Sequence, residues 1–139
     1  PQLKQAYIDH GKARLVYRDF PLDRLALAAA VIGHCVDPSR YFGFLEMLYR
    51  DQATWARSAD PLAELKVRAQ LAGLSESEVD ACLANKPLIA AIQQRAQGGQ
   101  QEYGIDSTPS FVVDGKKIAG EQSFENFAQA IDAALAKSR

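Results

Sequence analysis

One stretch constrains this chain more than any other: Gly104-Ile-Asp-Ser-Thr-Pro-Ser-Phe111, followed at once by Val-Val-Asp-Gly-Lys-Lys-Ile-Ala. It reads as a strand led by a proline, whose φ is fixed and whose missing N–H confines it to the start or edge of a sheet. Asp114-Gly115 separates Phe111-Val-Val113 from Lys116-Lys-Ile-Ala119. Such a two-residue loop tolerates the positive φ angles that antiparallel hairpins need, so a β-hairpin is predicted. Ser123 then caps a helix whose Phe124, Phe127, Ile131 and Leu135 make one apolar stripe.

Upstream, the pattern is mostly helical. Residues 1–10 show helical spacing, with Leu3, Tyr7 and Ile8 on one side and Gly11 as the stop. Ala13-Arg-Leu-Val-Tyr-Arg-Asp19 is rich in strand formers and ends before Phe20-Pro21, which predicts a first strand. From Leu22 to Tyr103 the spacing predicts successive helices. The first carries Leu25, Ala29, Ile32 and Val36 on one face; Asp37-Pro38 is expected to cap the next, with Phe42, Leu45, Leu48 and Tyr49 inward. Asp60-Pro61 repeats the device before Leu62, Leu65 and Ala69, and Gly73 ends that helix. Ser75 with Glu78 forms a capping box, and Leu74 against Val79 a hydrophobic staple. A last helix begins near Pro87 with Leu88, Ile89 and Ile92, and Gly98-Gly99 favours a bend before Gly104. The helices therefore read as an insertion, residues 22–103, between two parts of one α/β unit, residues 1–21 and 104–139.

With 47% apolar residues in 139, the chain is long enough for one real core. Its 16 basic and 17 acidic residues are interspersed, which leaves no electrostatic footprint for nucleic acid or an anionic membrane. The longest uncharged apolar run, residues 25–33, falls far short of the roughly 20 residues that span a bilayer, so a soluble chain is expected. Beginning at proline inside an apparent helix, the chain looks cut, and no targeting segment is legible. Cys35 and Cys82 are an even pair; their count alone fits one disulfide or two buried thiols. His34 beside Cys35 is not a metal or nucleophile pair, because adjacent helical residues diverge and His10 has no ligand spacing to it. Trp55, Tyr41, Phe42, Phe44 and Tyr49 sit at helical spacing and read as core.

Taken together, Tyr17-Arg-Asp-Phe-Pro-Leu22, Arg40-Tyr-Phe-Gly-Phe44, Asp80-Ala-Cys-Leu83, Tyr103-Gly-Ile-Asp-Ser-Thr-Pro-Ser-Phe111 and the Asp-Gly hairpin resemble the bacterial DsbA-like branch of the thioredoxin superfamily. The resemblance covers nearly the whole chain. It implies an α/β thioredoxin-like fold with an inserted all-helical domain, and a cis proline at Thr108-Pro109 facing extended peptide substrates. It implies a structural disulfide between Cys35 and Cys82, which in the chain-entropy model would stabilise by about 4 kcal/mol. The activity implied is thiol-disulfide exchange on cysteines of exported proteins, in the periplasm or cell envelope, with a redox partner for reoxidation and no bound cofactor or metal.

The redox motif of that family, Cys-x-x-Cys, is absent from these 139 residues, so the chain alone is expected to be inactive. The family's topology also puts a central strand between residues 13–19 and residues 110–113, and none is present in the sequence. The expectation is a strand supplied by a segment outside the chain or by another copy, since unpaired buried backbone groups each cost on the order of 1 to 3 kcal/mol. Two rival readings share the scaffold. A glutathione-using transferase or isomerase usually resembles this pattern with valine in place of Thr108, and a noncatalytic peptide-binding module takes the missing cysteines literally.

Overall fold

The computed structural model describes residues 1–137 and divides into two compact units. The first comprises residues 1–18 and the segment from Ala96 onward; the second is Asp19–Arg95.

The second unit is helical: α1, Arg24–Gly33; α2, Tyr41–Arg50; α3, Gln52–Trp55; α4, Pro61–Leu71; α5, Glu76–Leu83; and the first part of α6, Lys86–Tyr103. Local chemistry fixes most starts. The Asp23 carboxylate accepts from the Ala26 N–H, Asp60 accepts from Ala63 N–H with Pro61 in the first turn, and Ser75 and Glu78 complete a reciprocal capping box. Gly73 ends α4 with φ +102°. Burial of Ala29, Ile32, Val36, Phe44, Leu48, Trp55, Leu65, Ala69 and Val79 forms the main core, and the Trp55 indole N–H donates to the Leu48 carbonyl at 2.8 Å. Leu74 packs against this cluster, which contains its staple partner Val79.

Several expectations are corrected. Asp37 does not cap α2: its carboxylate accepts from the Ser39 N–H and hydroxyl, a local turn that competes with the helix, so α2 starts only at Tyr41. Phe42 and Tyr49, seven residues apart on one face, are 57% and 60% exposed, while Phe44 takes the core position beside Gly33. Leu62 is likewise exposed. Val36 is buried but lies beyond the end of α1. Helix α6 runs through Gly98-Gly99 without interruption, the hydrogen-bonded turns on either side outweighing the glycine penalty.

In the first unit, β1, Ser110–Val113, pairs antiparallel with β2, Lys116–Ala119, and α7, Phe124–Lys137, follows. Asp114 and Gly115 both have positive φ, +51° and +76°, as the predicted hairpin requires. The Ser123 hydroxyl accepts from the Asn126 N–H, and Phe127 is buried edge-on against Phe111, ring centroids 4.7 Å apart. The N-terminal helix is a short π-helical segment, Lys4–Ile8. Its Tyr7 hydroxyl donates to Asp132 at 3.0 Å; burial first, then that carboxylate, push the phenol pKa up.

The predicted strand at residues 13–19 does not form. β1 has β2 as its partner, and among the described residues no ladder includes 13–19. A strand exists only through a neighbour's hydrogen bonds, and strand-forming residues alone do not provide one. Leu15 and Val16 are 60% and 57% exposed.

Asp60→Ala should lower stability by about 1 kcal/mol in urea unfolding, through loss of the cap. A Cβ at Gly73 would lie 2.6 Å from Arg40 Nη1, but that atom ends a flexible chain whereas the φ is fixed. Gly73→Ala should therefore cost about 1–2 kcal/mol, with little recovered by adding Arg40→Ala.

Candidate functional site

The loop that leads into β1 is held by two groups the sequence did not single out, Lys117 and Gly120. Gly104, at φ +65°, closes α6, and Ile105 turns inward, its N–H donating to the Gly99 carbonyl at 3.4 Å. The Lys117 ammonium, from β2, then bridges the Gly104 carbonyl at 2.6 Å and the Asp106 carboxylate at 2.8 Å. The Ser110 hydroxyl donates to the Ser107 carbonyl at 2.7 Å, and the Gly120 N–H donates to the Pro109 carbonyl at 2.8 Å. The loop is thus fastened to its own hairpin at both ends.

Between those fastenings Thr108 and Pro109 are exposed, and the peptide bond joining them is cis. Their backbone groups are not equivalent. Pro109 has no N–H, and its carbonyl already accepts from Gly120. Thr108 keeps both its N–H and its carbonyl without a hydrogen-bond partner among the described residues. Of the two residues expected to face a peptide, Thr108 is therefore the one with a free backbone donor.

Electrostatics reinforce the clamp. The Lys117 hydrogen bond and charge hold the Asp106 carboxyl below its ordinary range. At the other end of the hairpin, Lys137 holds Asp114 low in the same way, across 2.6 Å. Lys117 and Gly120 were missed in the sequence because a lysine in a hairpin has no distinguishing spacing. The prolyl carbonyl's partner is set by register, which pairs Ser110 with Ala119 and leaves Gly120 opposite Pro109.

The remaining candidates lie in the helical unit. Cys35, just beyond α1, and Cys82, on α5, are joined as a disulfide with Cα atoms 6.3 Å apart. His34 does not act with Cys35; its Nε2 pairs with Asp19 at 2.7 Å, and its ring lies 5.7 Å from that of Tyr41. Among the described residues, no group of three or more His, Cys, Asp or Glu side chains is arranged to hold a metal ion.

Lys117 is the largest cause of the lowered Asp106 pKa, with the Ser107 hydroxyl adding to it, so the pair's contribution is present above the ordinary carboxylate pKa and is lost as pH falls through the folded value. In Lys117→Met the Asp106 carboxyl should titrate nearer its ordinary value. An NMR titration of that carboxyl reads the change, and an unaltered titration would remove Lys117 as the cause.

Known proteins share this architecture. Residues 1–133 match the family described as thioredoxin. Proteins of Rickettsia conorii and Rickettsia prowazekii, each named "Putative protein-disulfide oxidoreductase", are 30% and 29% identical over 100% and 97% of this chain, and over 50% of their own lengths. The chain thus spans about half the length of these relatives. The crystal structure of Wolbachia pipientis alpha-DsbA1 superposes with a TM-score of 0.82 at 26% identity, covering 99% of this chain and 76% of that one. A protein-disulfide isomerase from Novosphingobium aromaticivorans gives 0.76 at 25% identity, covering 96% and 80%. The chain belongs to the thioredoxin family and folds as its DsbA-like members do.

Proposed function

We propose that this chain is the substrate-facing part of a thiol-disulfide oxidoreductase that oxidises or rearranges cysteines in exported proteins. The observation that carries the reading is the exposed Thr108-Pro109 loop, fastened by Lys117 and Gly120, with the Thr108 N–H and carbonyl left unpaired. An extended peptide laid beside Thr108 would complete those hydrogen bonds as an added strand does at a sheet edge. A preorganised backbone loses little entropy on receiving it.

The chemistry of such an enzyme needs a thiolate that attacks, or leaves from, a disulfide. Cys35 and Cys82 are bonded to each other and far from a two-residue motif in sequence, so the catalytic cysteines belong outside residues 1–139 and the chain alone is inactive. In this reading the Cys35–Cys82 bond is a structural tie between the end of α1 and α5, not the enzyme's catalytic redox pair. That β1 pairs, among the described residues, with β2 alone, and that Leu15 and Val16 are exposed, support a further strand beside β1, from a segment outside the chain or a second copy. The Cys35–Cys82 disulfide, in a chain whose matched relatives are bacterial, supports the periplasm or cell envelope, where such bonds persist. No helix among the described residues is long and apolar enough to cross a membrane.

Adding an unstructured peptide with its cysteine replaced by serine should shift the Thr108 and Ser110 amide resonances at millimolar concentration and leave those of α4 in place. Shifts confined to another surface would sink the reading. In the full-length protein, catalysed oxidation of a reduced peptide should be measurable, whereas residues 1–139 alone should give the uncatalysed rate.

A further inference from the structure

The two cysteines of the disulfide differ in burial. Cys82 is 4% exposed and packs with Ala30, Val31 and Ile92, with Leu83, Leu88 and Ile89 around them; Cys35 also packs against this cluster but is less buried. Cys35 is half-buried and lines an open cleft of about 490 Å³ whose walls include Asp37, Arg40, Gly73 and Glu78. Cys35 is therefore the half of the disulfide that borders the cleft, while Cys82 is covered by aliphatic side chains of α1, α5 and α6.

We propose that Cys35 is a thiol-exchange site, modified by small thiols without net negative charge that enter this cleft. The incoming thiolate forms a bond to Cys35 Sγ, the Cys35–Cys82 bond breaks, and Cys82 departs with the electron pair and takes a proton from water. The product is a mixed disulfide at Cys35 and a thiol at Cys82, and no outside oxidant is consumed. A second equivalent of the same thiol completes the reduction by attacking the mixed disulfide. The first step already removes the covalent tie between the end of α1 and α5.

Charge sets the class of thiol. Among the described residues, three charged side chains line the cleft: Asp37, Glu78 and Arg40. Both carboxylates are held ionised, Asp37 by the Ser39 hydroxyl and N–H and Glu78 by the Ser75 hydroxyl and N–H. The same hydrogen bonds lower both pKa values. Arg40 supplies the single cation, and its Nη1 donates to the Ala72 carbonyl at 3.3 Å. The walls thus carry one net negative charge, which repels a thiolate bearing a carboxylate and tolerates one bearing an ammonium.

The test is exchange of the oxidised full chain with cysteamine and with 3-mercaptopropionate at equal thiolate concentration, quenched in acid, alkylated and mapped by peptide. The expected result is a cysteamine adduct on Cys35 with the alkylating tag on Cys82, formed in the folded chain. The cysteamine rate should exceed that of 3-mercaptopropionate several-fold at low salt, and the two should converge in 1 M salt. An adduct on Cys82 would overturn the proposal, as would an exchange rate that rises with urea in step with global unfolding. Equal rates for the two thiols at low salt would overturn the charge selectivity.

Discussion

Helix α1 has to be buried on two sides at once, and the helical unit is arranged around that requirement. Ala29 and Ile32 face the large cluster with Phe44, Leu65 and Val79, while Ala30 and Val31 face the smaller one with Cys82 and Ile92. A helix in that position tolerates no charge, which explains why residues 25–33 are the longest uncharged apolar run in the chain. Full burial of Val31 and Ile32 is worth roughly 1.5–3 kcal/mol each, a large share of the margin by which a domain is stable. Gly33 lets the next helix approach, with Tyr41 and Phe44 within van der Waals distance of where a Cβ would stand. The disulfide at Cys35 then ties the end of the same helix to α5.

The hairpin unit solves a different problem, holding an irregular loop still without burying it. Residues 106–109 are exposed, so the position of the Thr108-Pro109 loop depends on polar fastenings from the strands that follow it. Lys117 and Gly120 reach back to Gly104, Asp106 and Pro109 because the two-residue turn fixes the register of β2 on β1. Shifting that register by one residue would turn Lys117 to the other face and move Gly120 away from the prolyl carbonyl. Loop geometry here is a consequence of turn chemistry six residues away.

Where reading the sequence went wrong, a local competitor or an absent neighbour was responsible. Asp37-Pro38 has the composition of a helix start, yet Ser39 captures the carboxylate first, and α2 begins later with its inward face rotated onto Phe44. Helical spacing alone does not say which of Phe42, Phe44 and Tyr49 meets another helix. Residues 13–19 have every intrinsic property of a strand, but strand structure is a property of a pair, and no partner for them is among the described residues.

Capping residues, turn glycines and the hairpin were determined by the sequence itself, because each is a short-range hydrogen-bond or φ requirement met within four residues: Asp60 with Ala63, Ser75 with Glu78, Asp114 with Gly115. The family resemblance shared one of these signals, the Asp-Gly hairpin, and otherwise rested on residues 17–22, 40–44, 80–83 and 103–111. Only the tertiary structure decided that Cys35 and Cys82, 47 residues apart, lie close enough to bond, and that one faces a cleft and the other a core. It also decided that Thr108, rather than Pro109, keeps its backbone free. These depend on which distant side chains share a volume, and close packing, not sequence distance, sets that.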